Sequence, residues 1–226
     1  YNNLHQTGVV PNSSLGRNSF LLNATFRPTP KLTVTTIANY IKDDAGNLPG
    51  AYGRRATSTM LQFTWFGRQV DINQLKNYRN ADGSTFNWNN SYYSNPYFIA
   101  YENTVSQFKN RLIGSVELNY KIIKGLSANL RTGTDFYNDR RKIKVAYGTS
   151  GTPFGSYEED AYYVNETNTE GRLQYTKKLN KDFSLDAFVG GNISTATNEQ
   201  NDQIAPKLAV AGLYTLSNSR DPLVSS

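Results

Sequence analysis

From Leu112 onward, apolar and polar residues alternate with a period of two. Leu112, Gly114, Val116, Leu118, Tyr120 and Ile122 hold the even positions, and Ser115, Glu117, Asn119 and Lys121 fall between them. After Lys124-Gly125 the pattern resumes, with Leu126, Ala128, Leu130, Thr132, Thr134 and Phe136 set against Ser127, Asn129, Arg131 and Asp135. This predicts two strands, each with one apolar face, joined by a tight turn. Two further hairpins repeat the unit. Phe20 to Phe26 is followed by Leu32 to Tyr40 across Pro28–Lys31, and Gly171 to Tyr175 by Phe183 to Ile193 across Lys177–Lys181. Phe188 is the exception on the polar side of the last strand.

Residues directly opposite each other on an antiparallel pair share a face, so each hairpin must enclose an odd number of residues. For the middle one this predicts a three-residue loop, Ile123-Lys124-Gly125, with Gly125 left-handed in a G1 bulge. The same register sets Glu117 opposite Arg131 and Asn119 opposite Asn129. Residues 42 to about 106 and 138 to about 168 lack sustained alternation and read as long loops. A short helix over 71–78 is predicted in the first, with Asp71 as its N-cap and Val70 against Leu75. Short turns at one end and long loops at the other are the layout of an outer-membrane barrel.

Alternation alone fits a soluble sandwich as well as a membrane barrel. Strands of ten or more residues favour the barrel, being long for a sandwich and right for a tilted bilayer crossing. So do Phe26, Tyr120, Tyr175 and Phe183 near the short turns and Tyr40 and Phe136 at the far ends, which suit two interfacial girdles. Small residues on the apolar faces, such as Ala24, Gly114, Thr132 and Ala187, point the same way. The expected fold is therefore all-β: an antiparallel transmembrane β-barrel segment of about six strands in three hairpins. Six strands cannot close a barrel and leave two open edges, so residues 1–226 read as an interior piece of a larger barrel domain. The stretch from Leu216 to Pro222 reads as loop, with the chain breaking off at Ser226.

Composition excludes other classes. The 226 residues include no cysteine and one histidine, His5, which removes thiol, disulfide, zinc and multi-histidine chemistry. Apolar residues make up 38%, below the roughly 45–50% usual for globular domains, while 16 tyrosines raise the aromatic share. The surplus of 24 Lys+Arg over 18 Asp+Glu is modest and scattered, so nucleic acid is not an expected partner. No apolar run reaches the roughly 18 residues of a transmembrane helix. The chain begins at Tyr1 without a signal peptide, and reads as an excerpt or a processed form.

Several stretches, in this order, resemble the SusC/RagA family of TonB-dependent outer-membrane transporters of the Bacteroidetes group. They are Phe66-Gly67-Arg68-Gln69-Val70-Asp71 with Leu75-Lys76-Asn77-Tyr78, Asn95-Pro96-Tyr97 through Glu102-Asn103-Thr104, Asn110-Arg111 with Ile113-Gly114 and Leu118-Asn119-Tyr120-Lys121-Ile122, Gly133-Thr134-Asp135-Phe136-Tyr137-Asn138-Asp139-Arg140-Arg141, and Gly212-Leu213-Tyr214-Thr215-Leu216-Ser217-Asn218-Ser219. The resemblance implies a 22-strand-type barrel in the cell outer membrane that imports oligosaccharides or peptides. It also implies a SusD-like surface lipoprotein as partner and energy from the TonB complex through an N-terminal part. The plug domain and the closing strands lie outside this stretch, and membrane lipid surrounds the wall.

The most suggestive loop runs from Phe86 to Phe98, where Trp88, Tyr92, Tyr93, Tyr97 and Phe98 alternate with amides. It is read as a substrate or partner contact, or as packing of the loop on itself. Glu117, Asn119, Arg131 and Asp135, with Lys121, are expected to face the lumen. Asp43-Asp44-Ala45-Gly46-Asn47 has a fragment of calcium-loop spacing without the distal Glu, so no metal or cofactor is assigned. No nucleophile–base pair is present, and no enzyme is expected. The alternative reading is a secreted β-sandwich or adhesin-like module that binds ligand through the Tyr/Asn loop.

Overall fold

A computed structural model describes residues 1–48, 50, 56–89 and 91–225. It contains eight strands in one antiparallel meander, each pairing with its neighbours in chain order. They are β1 (Asn2–Thr7), β2 (Ser14–Thr29), β3 (Leu32–Asn47), β4 (Val105–Ile123), β5 (Leu126–Thr149), β6 (Thr152–Lys178), β7 (Ser184–Ala205) and β8 (Val224–Ser225). The helices are short: α1 (Thr59–Phe63), α2 (Pro96–Glu102) and 3-10 turns at Gln74–Lys76 and Leu216–Asn218.

All three predicted hairpins form in the expected parity. Phe20 faces Tyr40, Leu118 faces Leu130, and Tyr175 faces Ala187. Glu117 is opposite Arg131 and Asn119 opposite Asn129, as the pattern requires. In the middle hairpin a one-residue shift between Lys121 and Ile123 brings Ile123 opposite Leu126, which narrows the turn to Lys124-Gly125. Gly125 is left-handed, with φ of 85°. The bulge has moved one residue into β4, and the odd count between regular pairs survives.

Four expectations are corrected. The strands number eight, because β1 and β8 add one to each side of the predicted six. The segment 138–168 is strand and not loop, since β5 and β6 pair without a break from Leu126–Tyr175 to Val145–Ser156 and close in a tight turn at Ser150-Gly151. Its sequence escaped the period-two reading because polar and aromatic side chains dominate both faces there, with Ile143 and Val145 the short aliphatic exception. The predicted helix at 71–78 shrinks to the 3-10 turn at Gln74–Lys76, because the Asp71 carboxylate accepts from the Asn73 amide and forms a local Asx turn instead of a helix cap. The stretch read as loop at 216–222 opens with the second 3-10 turn. Beyond it β8 starts to pair with β7 at Gln203 and Ile204, while Ser226 lies outside the described residues.

The register assembles the apolar residues into rows running across the sheet. One row reads Phe26, Val34, Leu118, Leu130, Gly171, Gly191, and the next toward the loops reads Ala24, Thr36, Val116, Thr132, Thr169, Ile193. On β5 the band extends from Leu126 to Phe136, matching the roughly 9–11 residues a tilted crossing strand needs. Among the described residues nothing is stacked on this band. The described residues form a single sheet layer, and Leu130 is 48% exposed and Ile193 72% exposed. Leaving such a side chain in water forgoes roughly 1.5–3 kcal/mol each. At the far rim Tyr40 keeps its ring on this face and donates its hydroxyl to Asn110 at 2.7 Å.

Protein covers the other face. Near the loop end of β3, Asp43, Ala45 and Asn47 are buried, whereas Lys42, Asp44 and Gly46 between them are exposed. The cover comes from described residues of the connection between β3 and β4, α2 among them, held by Asn47, whose side chain donates to the Ala100 carbonyl at 3.2 Å and accepts from the Val105 amide at 2.9 Å. α2 starts at Asn95, whose carboxamide oxygen accepts from the Tyr97 amide at 2.8 Å while its nitrogen donates to the Leu75 and Phe86 carbonyls. Phe98 and Ile99 of α2 pack on Ala146 to form a small core. A second, from Tyr157, Ala205 and Leu208, forms at the loop end of β6 and β7, where Tyr157 and Ala205 hold the register positions of the face that carries Leu173 and Val189. On β3 and β5 the face buried at the mouth is the one that carries Glu117, Arg131 and Asp135 further down.

Candidate functional site

Two groups of residues stand out: the polar face of the sheet and the aromatic loop over its mouth. On the polar face, Glu117, Arg131 and Glu170 lie side by side in one row. No ion pair joins them among the described residues, and Glu117 instead accepts from the Asn129 amide at 2.7 Å. Asn119, Asn129, Arg131, Glu170 and Arg172 border a groove whose far side is Gly190 and Gly191. Arg172 lies 4.1 Å from the centre of the Phe188 ring, which explains the one aromatic that broke the alternation of β7: it faces the groove as a seat for a cation.

Nearer the mouth the charges are tied. Arg111 holds Asp135 through two hydrogen bonds, the Nε one at 2.8 Å. Asp139 is buried and accepts from Gln107 at 2.6 Å and Arg141 at 2.8 Å. Arg17 grips both carboxylate oxygens of Asp43 through its Nε and one terminal nitrogen. Lys109 lies 3.9 Å from the centre of the Tyr137 ring and Arg141 4.8 Å from that of Tyr162. The polar face thus grades from locked pairs at the mouth to open charges toward the short turns. Asp43 and Asp44 occupy successive positions of β3 and point to opposite faces, so they cannot converge on one cation. Among the described residues no group of three or more His, Cys, Asp or Glu is placed to hold a metal.

The structure divides the aromatic loop residues by role. Trp88 and Tyr93 stack at 5.5 Å with their planes 9° apart. Tyr92 is exposed and Tyr97 half-buried. Phe98 has no exposed surface and belongs to the α2 core, so burial removes it from any direct contact. Asn90, within this loop, lies outside the described residues. Sequence reasoning missed Phe63, Trp65 and Phe66, which join the same cluster: Trp65 stacks on Tyr93 at 5.7 Å, and Phe66 meets Trp88 edge-on at 4.9 Å. The signal was available in the pair Trp65-Phe66, the one other place where tryptophan occurs.

Electrostatics fix the loop to its neighbours. Burial pushes the Tyr78 hydroxyl above its ordinary range, and the Glu102 carboxylate, which accepts from it at 3.3 Å, adds to the shift. Arg79 pairs with the same carboxylate at 3.2 Å. Burial also raises Tyr214, on the segment between β7 and β8, with Glu102 contributing.

No protein-family model and no curated protein matches the chain. Solved structures do. The chain is similar to a chain in the structure of the RagAB peptide transporter, with a TM-score of 0.73 and 18% identity over 99% of this chain and 26% of that one. It is similar to the RagAB peptide importer in its closed-closed state, with a TM-score of 0.70, 18% identity, and 99% and 25% covered. For the open-open state the TM-score is 0.62 at 18% identity, with 95% and 24% covered. The chain spans about a quarter of the length of these chains. The shared feature is the fold: a meandering segment of β-barrel wall.

Proposed function

We propose that this chain is a wall segment of an outer-membrane transporter of the SusC/RagA kind, importing peptides. The observation that carries the reading is the inverted distribution of cover. Protein packs on the polar face at the loop end, while below it the single layer leaves a band of apolar side chains bare, an arrangement that a lipid-facing wall reconciles with stability. In a soluble sandwich the covered face would be the apolar one, and nothing in the single-layer sheet favours that alternative. The structurally similar chains are named as peptide importers, which favours peptides over oligosaccharides as cargo.

In this reading Glu117, Asn119, Arg131 and Asp135 face the lumen, and the aromatic loop with Trp88, Tyr92, Tyr93 and Tyr97 lies at the external mouth. A surface lipoprotein closes over that mouth, and the TonB complex supplies energy through parts of the parent protein outside this chain. The bilayer surrounds the band from Leu126 to Phe136. The experiment is deletion of the gene for the complete protein in its host, followed by uptake of labelled oligopeptides. Loss of uptake, restored by the intact gene, supports the proposal. Unchanged uptake of peptides with lost uptake of oligosaccharides overturns the choice of cargo, and a protein recovered in the soluble fraction overturns the whole reading.

A further inference from the structure

We infer that the aromatic cluster over the mouth is a seat for an apolar or aromatic side chain of the imported peptide, with the exposed indole of Trp65 as its contact surface. The inference rests on the peptide-importer reading and adds to it a side-chain preference and a residue.

Five rings form a continuous chain of contacts. Phe63 meets Phe66 at 5.1 Å, Phe66 meets Trp88 edge-on, Trp88 stacks on Tyr93, and Tyr93 stacks on Trp65 with planes 23° apart. Tyr93 therefore stacks with both indoles, and Trp65 is 60% exposed. A large ring fixed from behind offers contact area at little cost in conformational entropy. The support is itself anchored: Gln62 of α1 is buried and accepts from the Ser94 amide at 3.1 Å, while its own nitrogen donates to the Ser58 carbonyl.

The exposed residues next to the cluster members along the chain bear on the ligand class. Met60 lies one turn from Phe63 on α1 and is 57% exposed, although it is the chain's only methionine. Tyr92, beside Tyr93, is also exposed. Met60, Phe63, Trp65 and Tyr92 bring one hydroxyl, one indole N–H and no charge, and Arg68 is the exposed charge nearest to Trp65 along the chain. A sugar needs several directional hydrogen-bonding groups around its ring to be held. A flexible thioether beside flat rings instead accommodates apolar side chains of varied shape.

The test uses the complete protein with its lipoprotein partner, purified in detergent. Titration calorimetry compares a heptapeptide with a central phenylalanine and its alanine counterpart. Trp65→Ala is expected to weaken the phenylalanine peptide by about tenfold and leave the alanine peptide unchanged, with Trp65→Phe retaining most of the affinity. Equal loss on both peptides, or loss on neither, overturns the inference. Equal wild-type affinity for the two overturns the side-chain preference but leaves peptide import standing. Failure of the wild type to bind either peptide overturns both, as does competition by maltoheptaose that Trp65→Ala abolishes.

Discussion

Arg111 and Asp135 sit diagonally across neighbouring strands, one pairing step apart, and the guanidinium grips both carboxylate oxygens. Glu117 and Arg131 are directly opposite and form no such pair. Register alone therefore does not make an ion pair. The diagonal placement gives the fork of Arg111 the reach to engage its partner from the side, whereas Asn129 has taken the Glu117 carboxylate. Both members of the Arg111–Asp135 pair are about one-third exposed, which limits its worth through solvent screening. A double-mutant cycle with Arg111→Ala and Asp135→Asn is expected to give a coupling of about 1 kcal/mol or less, falling with added salt. Denaturant unfolding of the complete protein in detergent measures it.

Gly125 is expected to be the least replaceable residue of the middle hairpin. Its φ of 85° is open to glycine, and a Cβ there would come within 2.5 Å of the Thr176 carbonyl oxygen. The left-handed conformation alone costs a side-chain-bearing residue about 1–2 kcal/mol. Gly125→Ala should destabilise by at least that amount, because the close approach adds to it. Thermal unfolding of the two proteins gives the difference, and a change below about 0.5 kcal/mol would show that the turn relaxes freely.

Asn95 holds the aromatic loop together from a fully buried position, capping α2 and tying it to the Leu75 and Phe86 carbonyls. Asn95→Ala removes the cap and leaves two carbonyls without that donor. The expected loss is about 3 kcal/mol of local stability, from a cap worth about 1 and buried hydrogen bonds worth about 1 each. Faster proteolytic cleavage between residues 56 and 104, with the strands left protected, is the result that checks it.

Much of the wall was legible because a sheet with one apolar face announces its parity. Leu112 to Phe136 fixed the middle hairpin down to the pairing of Glu117 with Arg131. Recognition failed where both faces meet polar surroundings. From Asn138 to Asn168 the apolar alternation is short, limited on β5 to Ile143 and Val145 in alternation with Lys142 and Lys144, and it lies on the face opposite to that of Leu130, yet the backbone ladder continues through Ile143–Glu158 and Arg141–Asp160. The site was half legible for a related reason. Trp88 and Tyr93 drew notice as neighbours in sequence, whereas Trp65 reaches them only through the fold, and Phe98 looks the same in sequence whether it is a contact or a core residue.

Stability should fall in strongly alkaline solution through Tyr157. Burial, together with its hydrogen bond to Glu159 at 2.5 Å, raises the hydroxyl well above the ordinary tyrosine range. The folded state therefore keeps a proton that the unfolded chain releases above about pH 10. The stabilisation is complete below that pH and is lost as pH climbs toward the folded-state value. Tyr157→Phe should make the unfolding free energy less steep in pH above about 10, and an unchanged slope would contradict the assignment.

The direction in which the apolar band points is the central claim, and Leu130 and Arg131 test it as adjacent residues on opposite faces. The chain contains no cysteine, so single substitutions Leu130→Cys and Arg131→Cys accept one nitroxide each within it, with any cysteine elsewhere in the complete protein replaced by serine. After reconstitution into bilayers, the label at 130 is predicted to collide with lipid-dissolved oxygen and to be shielded from a water-soluble nickel chelate. The label at 131 should show the reverse preference. A label at 130 that meets the chelate more readily than oxygen, or that is shielded from both, would contradict the account.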